Sequence, residues 1–408
     1  MSKAKFFSIL IGLSIISLIS LSSFSSSNIY IPTFTTQQDF LLSSSSENNL
    51  SISDVLHSIS FPTSLPKSNI STQPITIAVI DSGINKSTLN NYWVNTKEIP
   101  NNGIDDDHNG FVDDYYGWDF VRNQPGQFQG NFSNHGTFIS HIIYSMTQNV
   151  SNIKIMDVRV LDTDNKNNNF DSFYKAINYA LLFPDVKVIQ FSIEFLQSLF
   201  PINSDQVKWT FTKAFLRNIP IITVSGNNGK NQISDPGNWS ETISVASVEK
   251  NSDQWTRASY SNYGPNIDIS APGSNIQSIG STGHPLVLSG TSFSSAFVGG
   301  GVALFQSLYA GRNYTVETIR HHIQESSLNL HSCSEFGAGL FNLSEFIIEG
   351  NQISIPNNSL VCNPTYSIPY TLGPFPISHG LTSPNFSLMS ILTLIIIRWG
   401  IRKLKRTN

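Results

Sequence analysis

From Ile75 onward the chain alternates between two kinds of hydrophobic pattern. Short apolar runs rich in β-branched residues recur as ITIAVI (75–80), IKIMDVRVL (153–161), VKVIQFS (186–192), IPIITVS (219–225) and ETISVASV (241–248). Between several of them lie segments with helical spacing: HGTFISHIIYSM (135–146), DSFYKAINYALLF (171–183) and DQVKWTFTKAFLRN (205–218). Runs without polar interruption predict strands buried on both faces, and their alternation with helices predicts an α/β domain. Its central sheet is mostly parallel and flanked by helices. This pattern occupies residues 73–349, and no internal repeat is visible in it.

Both ends differ from this body. Lys3 and Lys5 precede an apolar run from Phe6 to Leu21 and then small residues, the layout of a signal peptide over 1–26 or of an uncleaved anchor. Residues 27–72 are rich in Ser and Asn and read as a linker or short pro-segment without a compact domain. A Pro/Asn/Ser-rich linker spans 350–385, and 386–401 is apolar. That last stretch is short for a span of roughly 20 residues, and Arg398 within it would have to snorkel. It reads as a membrane anchor or sorting helix, with a buried amphipathic helix as the alternative. Its setting resembles the C-terminal sorting signals of archaeal surface proteins, with Asn385 in Pro384-Asn385-Phe386 where that pattern has glycine. Arg402, Lys403, Lys405 and Arg406 make 402–408 a basic cytoplasmic tail. The expected location is the extracellular face of a membrane.

Composition narrows the partners. Charged residues make up 13% of the 408, and the formal charge of −4 argues against a nucleic-acid electrostatic footprint. The two cysteines, Cys333 and Cys362, could form one bridge in an oxidising compartment. The glycosylation-type triplets at Asn131, Asn238, Asn313 and Asn342 agree with export.

Three residues with complementary chemistry fall at strand ends or helix starts. Asp81 follows the strand ITIAVI, His135 opens a helix in SNHGTF, and Ser292 opens another in LSGTSFSSAFVGGG (288–301). Singly they could be a turn cap, a surface histidine and an N-cap. Together they supply a carboxylate to orient an imidazole, an imidazole to take a proton and a hydroxyl to attack.

The stretches AVIDSG, NHGT and SGTSFSSAFVGG resemble the three catalytic blocks of the subtilisin-like serine proteases, or subtilases. SYSNYGPNIDISAPGSNIQS (259–278) and FGAGLFNLSEFI (336–347) extend the likeness. It implies a three-layer subtilisin-like α/β fold and a serine endopeptidase that cleaves peptides or proteins without an organic cofactor. By the resemblance Ser292 is the nucleophile, His135 the general base and Asp81 its partner. Asn227 in VSGNNG is the side-chain donor to the oxyanion, and Ser192, Ile193 and Glu194 form the substrate-binding strand. Departures accompany the matches. Phe138 and Phe297 stand where the family has histidines, and they are expected to pack together. Glu194 stands where the family has glycine and is expected at the mouth of the pocket for the residue before the scissile bond. These departures keep a catalytically inactive binding module open as an alternative, and an acyl-transfer enzyme of the same fold as another. Reaction with a fluorophosphonate separates the first.

NNGIDDDHNGFVDDYYGWDF (101–120) contains the D-x-D-x-N-G spacing of a calcium loop: Asp105, Asp107, Asn109 and Gly110. Tyr116 occupies the position of the usual bidentate glutamate, so Asp113 or Asp114 is expected to substitute. The expected ligands of a structural calcium ion are therefore Asp105, Asp107, Asn109 and Asp114. A solvated acidic turn is the alternative.

Overall fold

The computed structural model describes residues 49–65, 72–167, 171–195, 204–252 and 254–348, with the backbone of 34–35 and residue 362. The expected signal peptide (1–26), apolar C-terminal segment (386–401) and basic tail (402–408) lie outside the described residues. Among the described residues no helix is long and apolar enough to cross a membrane.

The apolar runs become the strands of one sheet. β2 (Ile75–Asp81) lies at its centre, fully buried, between parallel neighbours β4 (Ile153–Arg159) and β5 (Val186–Gln190). β6 (Ile221–Val224), β7 (Thr242–Asn251) and β9 (Ile269–Pro272) continue the parallel order on one side. β3 (Trp118–Asp119) continues it on the other. The antiparallel strands sit at the margins, β8 (Gln254–Arg257) on β7 and Gln124–Pro125 on β3.

Side-chain alternation in β2 divides the core. Ile77 and Val79 face a cluster with Ile139, Ile142 and Ile143 of α2 (Asn134–Thr147) and Val298 and Val302 of α5 (Thr291–Leu308). Ala78 and Ile80 face the opposite cluster, with Phe173 and Ile177 of α3 (Asp171–Ala180) and Val207 and Phe211 of α4 (Ser204–Leu216). The result is the expected three-layer α/β sandwich of helices, sheet and helices.

Every residue of α5 is buried, so its glycines are surrounded on all sides. A Cβ at Gly299 would lie 2.1 Å from Gln190 Oε1 on the sheet, one at Gly300 2.7 Å from Met146 Sδ on α2, and one at Gly301 2.6 Å from the Phe341 ring. One face of the triplet meets the sheet, the next a helix and the third the C-terminal segment.

The linker expected over 27–72 contains structure. β1 (Leu50–Ser51) pairs in parallel with Ile276–Gln277 of β10 (Ile276–Ile279), which also pairs with β11 (Pro285–Leu288). α1 (Ile52–Ser58) starts at a reciprocal Ser51–Asp54 capping box and buries Val55, and Ile59 just after it is buried too. Seven residues are too few to show a helical period, and the cap is hidden in Ser/Asn-rich composition. Phe34–Thr35 pair antiparallel with Lys166–Asn167. Cys333 and Cys362 form a disulfide with Cα atoms 5.4 Å apart.

Candidate active site

The carboxyl ends of β2, β5 and β6 open at one edge of the sheet, the place where α/β sheets bind ligands. Asp81 is the last residue of β2 and is 1% exposed. Its Oδ1 accepts from the Ser82 amide at 2.7 Å and meets His135 Nδ1 at 2.7 Å. His135 lies in the first turn of α2, capped by Ser133. The helix comes this close because residue 136 is glycine, where a Cβ would lie 2.6 Å from the Gly83 carbonyl and 3.1 Å from Asp81 Oδ1. The Gly136 amide donates to Ser82 Oγ, pinning the helix start to the strand end.

Ser292 is the second residue of α5, so its amide is among the N-terminal donors that lack an intrahelical partner. Its hydroxyl lies 3.5 Å from the Ser192 carbonyl. The neighbouring Phe293 ring packs on His135 at 5.9 Å, bringing the serine turn against the imidazole. Asn227 follows β6, and its Oδ1 accepts both the Thr291 amide (2.9 Å) and the Thr291 hydroxyl (2.8 Å). With that oxygen occupied, the side chain presents its NH₂ group as the donor. A cavity of about 450 Å³ opens beside Asn227, bordered by Tyr260, Ser274 and Ser289.

Asn262 holds the turn that carries Asn227. Its Oδ1 accepts the amides of Asn228 and Lys230, and its Nδ2 donates to the Ser225 carbonyl and to Ser234 Oγ. Beneath Ser292 runs a second polar cluster. Gln190 Nε2 donates to Ser192 Oγ and Ser295 Oγ, both at 2.8 Å, and Ser295 Oγ donates to the Ser292 carbonyl. Thr291, Asn262, Gln190 and Ser295 were not marked by sequence reasoning. Asn262 lay within the block 259–278, whereas Gln190 and Ser295 look like ordinary strand and helix residues until the two elements meet.

Ser192, Ile193 and Glu194 form an extended segment past the end of β5, with Ile193 turned into the core. Glu194 is not at an open pocket mouth as expected. It is 3% exposed, and burial pushes its pKa up against the opposing influence of the Ser234 hydroxyl and Lys230. Phe138 and Phe297 share one core cluster, but the ring partner of Phe138 is Phe293, at 4.7 Å. On a helix, residue 293 points one turn earlier toward α2 than 297 does, so it takes the contact expected of Phe297.

The acidic loop rearranges the expected ligand set. Glu98, Asp105 and Asp107 bring carboxylate oxygens within 4.8 Å of one another. Asp114 is directed elsewhere: it is fully buried and accepts from Asn95, Asn109 and Tyr179, while burial raises its pKa. Asn109 spends its oxygen on the Phe111 amide. The three grouped carboxylates fit a hard cation, which takes oxygen donors.

The Subtilase family profile matches residues 72–339. Over 230 residues the chain is 29% identical to the thermostable alkaline protease of Halalkalibacterium halodurans, a stretch covering 55% of this chain and 60% of that protein. Over 232 residues it is 27% identical to subtilisin BL of Lederbergia lenta, covering 55% of this chain and 81% of that protein. Among solved structures, a lanthipeptide protease superposes with a TM-score of 0.54 at 19% identity, over 67% of this chain and 86% of that one, a likeness of fold alone.

Proposed function

We propose that this chain, which belongs to the subtilase family of serine-type peptidases, is an endopeptidase that hydrolyses peptide bonds through an acyl-enzyme on Ser292. The observation that carries the reading is the buried 2.7 Å contact of Asp81 with His135 Nδ1. It fixes the imidazole with its proton on Nδ1 and so leaves Nε2 as the base.

Ser292 Oγ adds to the substrate carbonyl carbon while His135 Nε2 takes its proton. The carbonyl electron pair moves to oxygen, and that oxyanion receives the Ser292 amide and the Asn227 NH₂. Both donors are held in place before reaction, one by the helix start and one by Thr291, so they need no reorganisation as charge develops. When the C–N bond breaks, the imidazolium gives its proton to the departing amine. Water then repeats the sequence on the ester and releases Ser292.

Ser192, Ile193 and Glu194 are proposed to pair with the bound peptide as an added strand. A structural calcium ion is proposed at Glu98, Asp105 and Asp107, where it would draw residues 98–107 together and take no part in the reaction. Export rests on the Lys3/Lys5-led apolar start and on the Cys333–Cys362 bridge, and membrane attachment on residues 386–401.

The test is covalent labelling by a fluorophosphonate with peptidase assay of the same preparation. Wild type should label and cleave, and Ser292→Ala should do neither. A folded wild type that fails both would instead favour the binding-module alternative.

A further inference from the structure

Beside Asn227 the segment Ser192–Phe195 runs against the turn Gly226–Asn228, with the Glu194 carboxylate against Gly226. The Phe195 amide donates to the Asp235 carbonyl. Three polar groups converge on Gly226. A Cβ there would lie 2.4 Å from Asn262 Nδ2, 2.5 Å from Ser234 Oγ and 2.7 Å from Glu194 Oε2.

Two of the three are matched to each other, since Asn262 Nδ2 donates to Ser234 Oγ at 3.1 Å. Glu194 differs. At 3% exposure, neither of its carboxylate oxygens completes a hydrogen bond among the described residues. An ionised carboxylate only accepts, and the Ser234 hydroxyl is the one side-chain donor that acts on it, so most of its acceptor capacity is unmet. Lys230 bears on it electrostatically but is itself exposed to solvent. A buried charge supported only by one hydroxyl and a solvent-exposed lysine is costly for a fold to retain, and it is relieved by a ligand that brings the opposite charge. A cavity of about 120 Å³, bounded by Phe195, Lys230, Ser234 and Asn262, adjoins the same cluster and gives the groups room to rearrange.

The place of this carboxylate identifies the ligand. Gly226 directly precedes Asn227, whose NH₂ group would hold the carbonyl oxygen of the residue being cleaved. With the peptide held there, the side chain of that same residue would pass beside Gly226. We propose that Glu194 is a specificity residue that pairs with the ammonium of lysine or the guanidinium of arginine immediately before the scissile bond. This rests on the peptidase reading above.

The test is kcat/KM on a peptide panel varied only at that residue (Lys, Arg, Leu, Ala, Glu), for wild type, Glu194→Gln and Glu194→Ala. Fluorophosphonate labelling is measured on each preparation. Wild type should prefer Lys and Arg over Leu by about 10- to 100-fold, the range of a charge-assisted hydrogen bond. Glu194→Gln should keep the shape of the site and lose most of that preference. If wild type labels and cleaves without favouring Lys or Arg, the specificity proposal is overturned while the peptidase reading stands. The wild-type panel decides this even if neither variant folds. Failure to label and to cleave overturns both.

Discussion

Removing the Ser295 hydroxyl should cost more than removing the entire polar cluster to which it belongs. Gln190 is fully buried, and its two amide hydrogens go to Ser192 Oγ and Ser295 Oγ. Its Oε1 faces Gly299 and completes no hydrogen bond among the described residues. Ser295→Ala strands one of those amide hydrogens in the core, which costs about 1–3 kcal/mol. The carbonyl of Ser292 loses only a second donor, because it sits inside α5. In the set Gln190→Met, Ser192→Ala, Ser295→Ala every partner leaves together, and methionine follows the unbranched path of glutamine. Apolar replacement of both partners can be nearly neutral, and here it also removes the unmatched Oε1. The triple variant should therefore melt above the single one. A single-variant loss near 2 kcal/mol corresponds to about 3–4 °C in Tm for a domain this large. Melting would be followed by circular dichroism in a Ser292→Ala background, which prevents self-digestion and keeps the backbone carbonyl. A triple variant that melts below Ser295→Ala would show that this cluster contributes net stability as a network, against the reasoning here.

Asn227→Ala should lower kcat by about 10²–10³, while Thr291→Val, which keeps the amide bond to Asn227 and loses the hydroxyl one, should lower it only about 3- to 10-fold. Steady-state kinetics checks both, and a Thr291→Val rate equal to wild type would mean that the amide alone orients Asn227. Chelator should lower the melting temperature, Asp105→Ala with Asp107→Ala should abolish that response, and Asp114→Asn should retain it. A wild-type melting curve indifferent to chelator would count against the calcium site. Burial raises the Glu194 pKa above 4.5, so below that value the carboxyl is protonated in both folded and unfolded states and carries no penalty. As pH rises above that value and through the raised folded pKa, stability is lost, and wild type should fall progressively behind Glu194→Gln over that interval. Parallel melting-temperature profiles for the two proteins would refute this.

The elements that repeat were legible from the chain alone. ITIAVI and its counterparts became the strands they predicted, because a strand covered on both faces has no polar positions to confuse the reading. The placement of Asp81, His135 and Ser292 at strand ends and helix starts was legible too, since each motif straddles such a boundary, whereas Asn227 was marked only by the family resemblance. Features made by contact between distant segments were not. Glu194 could be read as an exposed charge until Gly226, Ser234 and Asn262 closed around it. Glu98, which joins Asp105 and Asp107, lies outside the D-x-D-x-N-G spacing. Asp114, expected to stand in for the missing glutamate, is drawn away by Tyr179, a residue of α3 that is distant in sequence.

The glycine triplet of α5 also restricts how this segment can change over evolution. Each added or deleted residue turns everything downstream by about 100° about the helix axis. One indel between Ser292 and Gly299 would present side chains to the sheet, to α2 and to Phe341 where only hydrogen atoms now fit. Compensation would require changes on three separate elements at once. The seven-residue interval from nucleophile to triplet therefore acts as a fixed ruler, and relatives sharing this packing should vary in the residues along it while conserving its length.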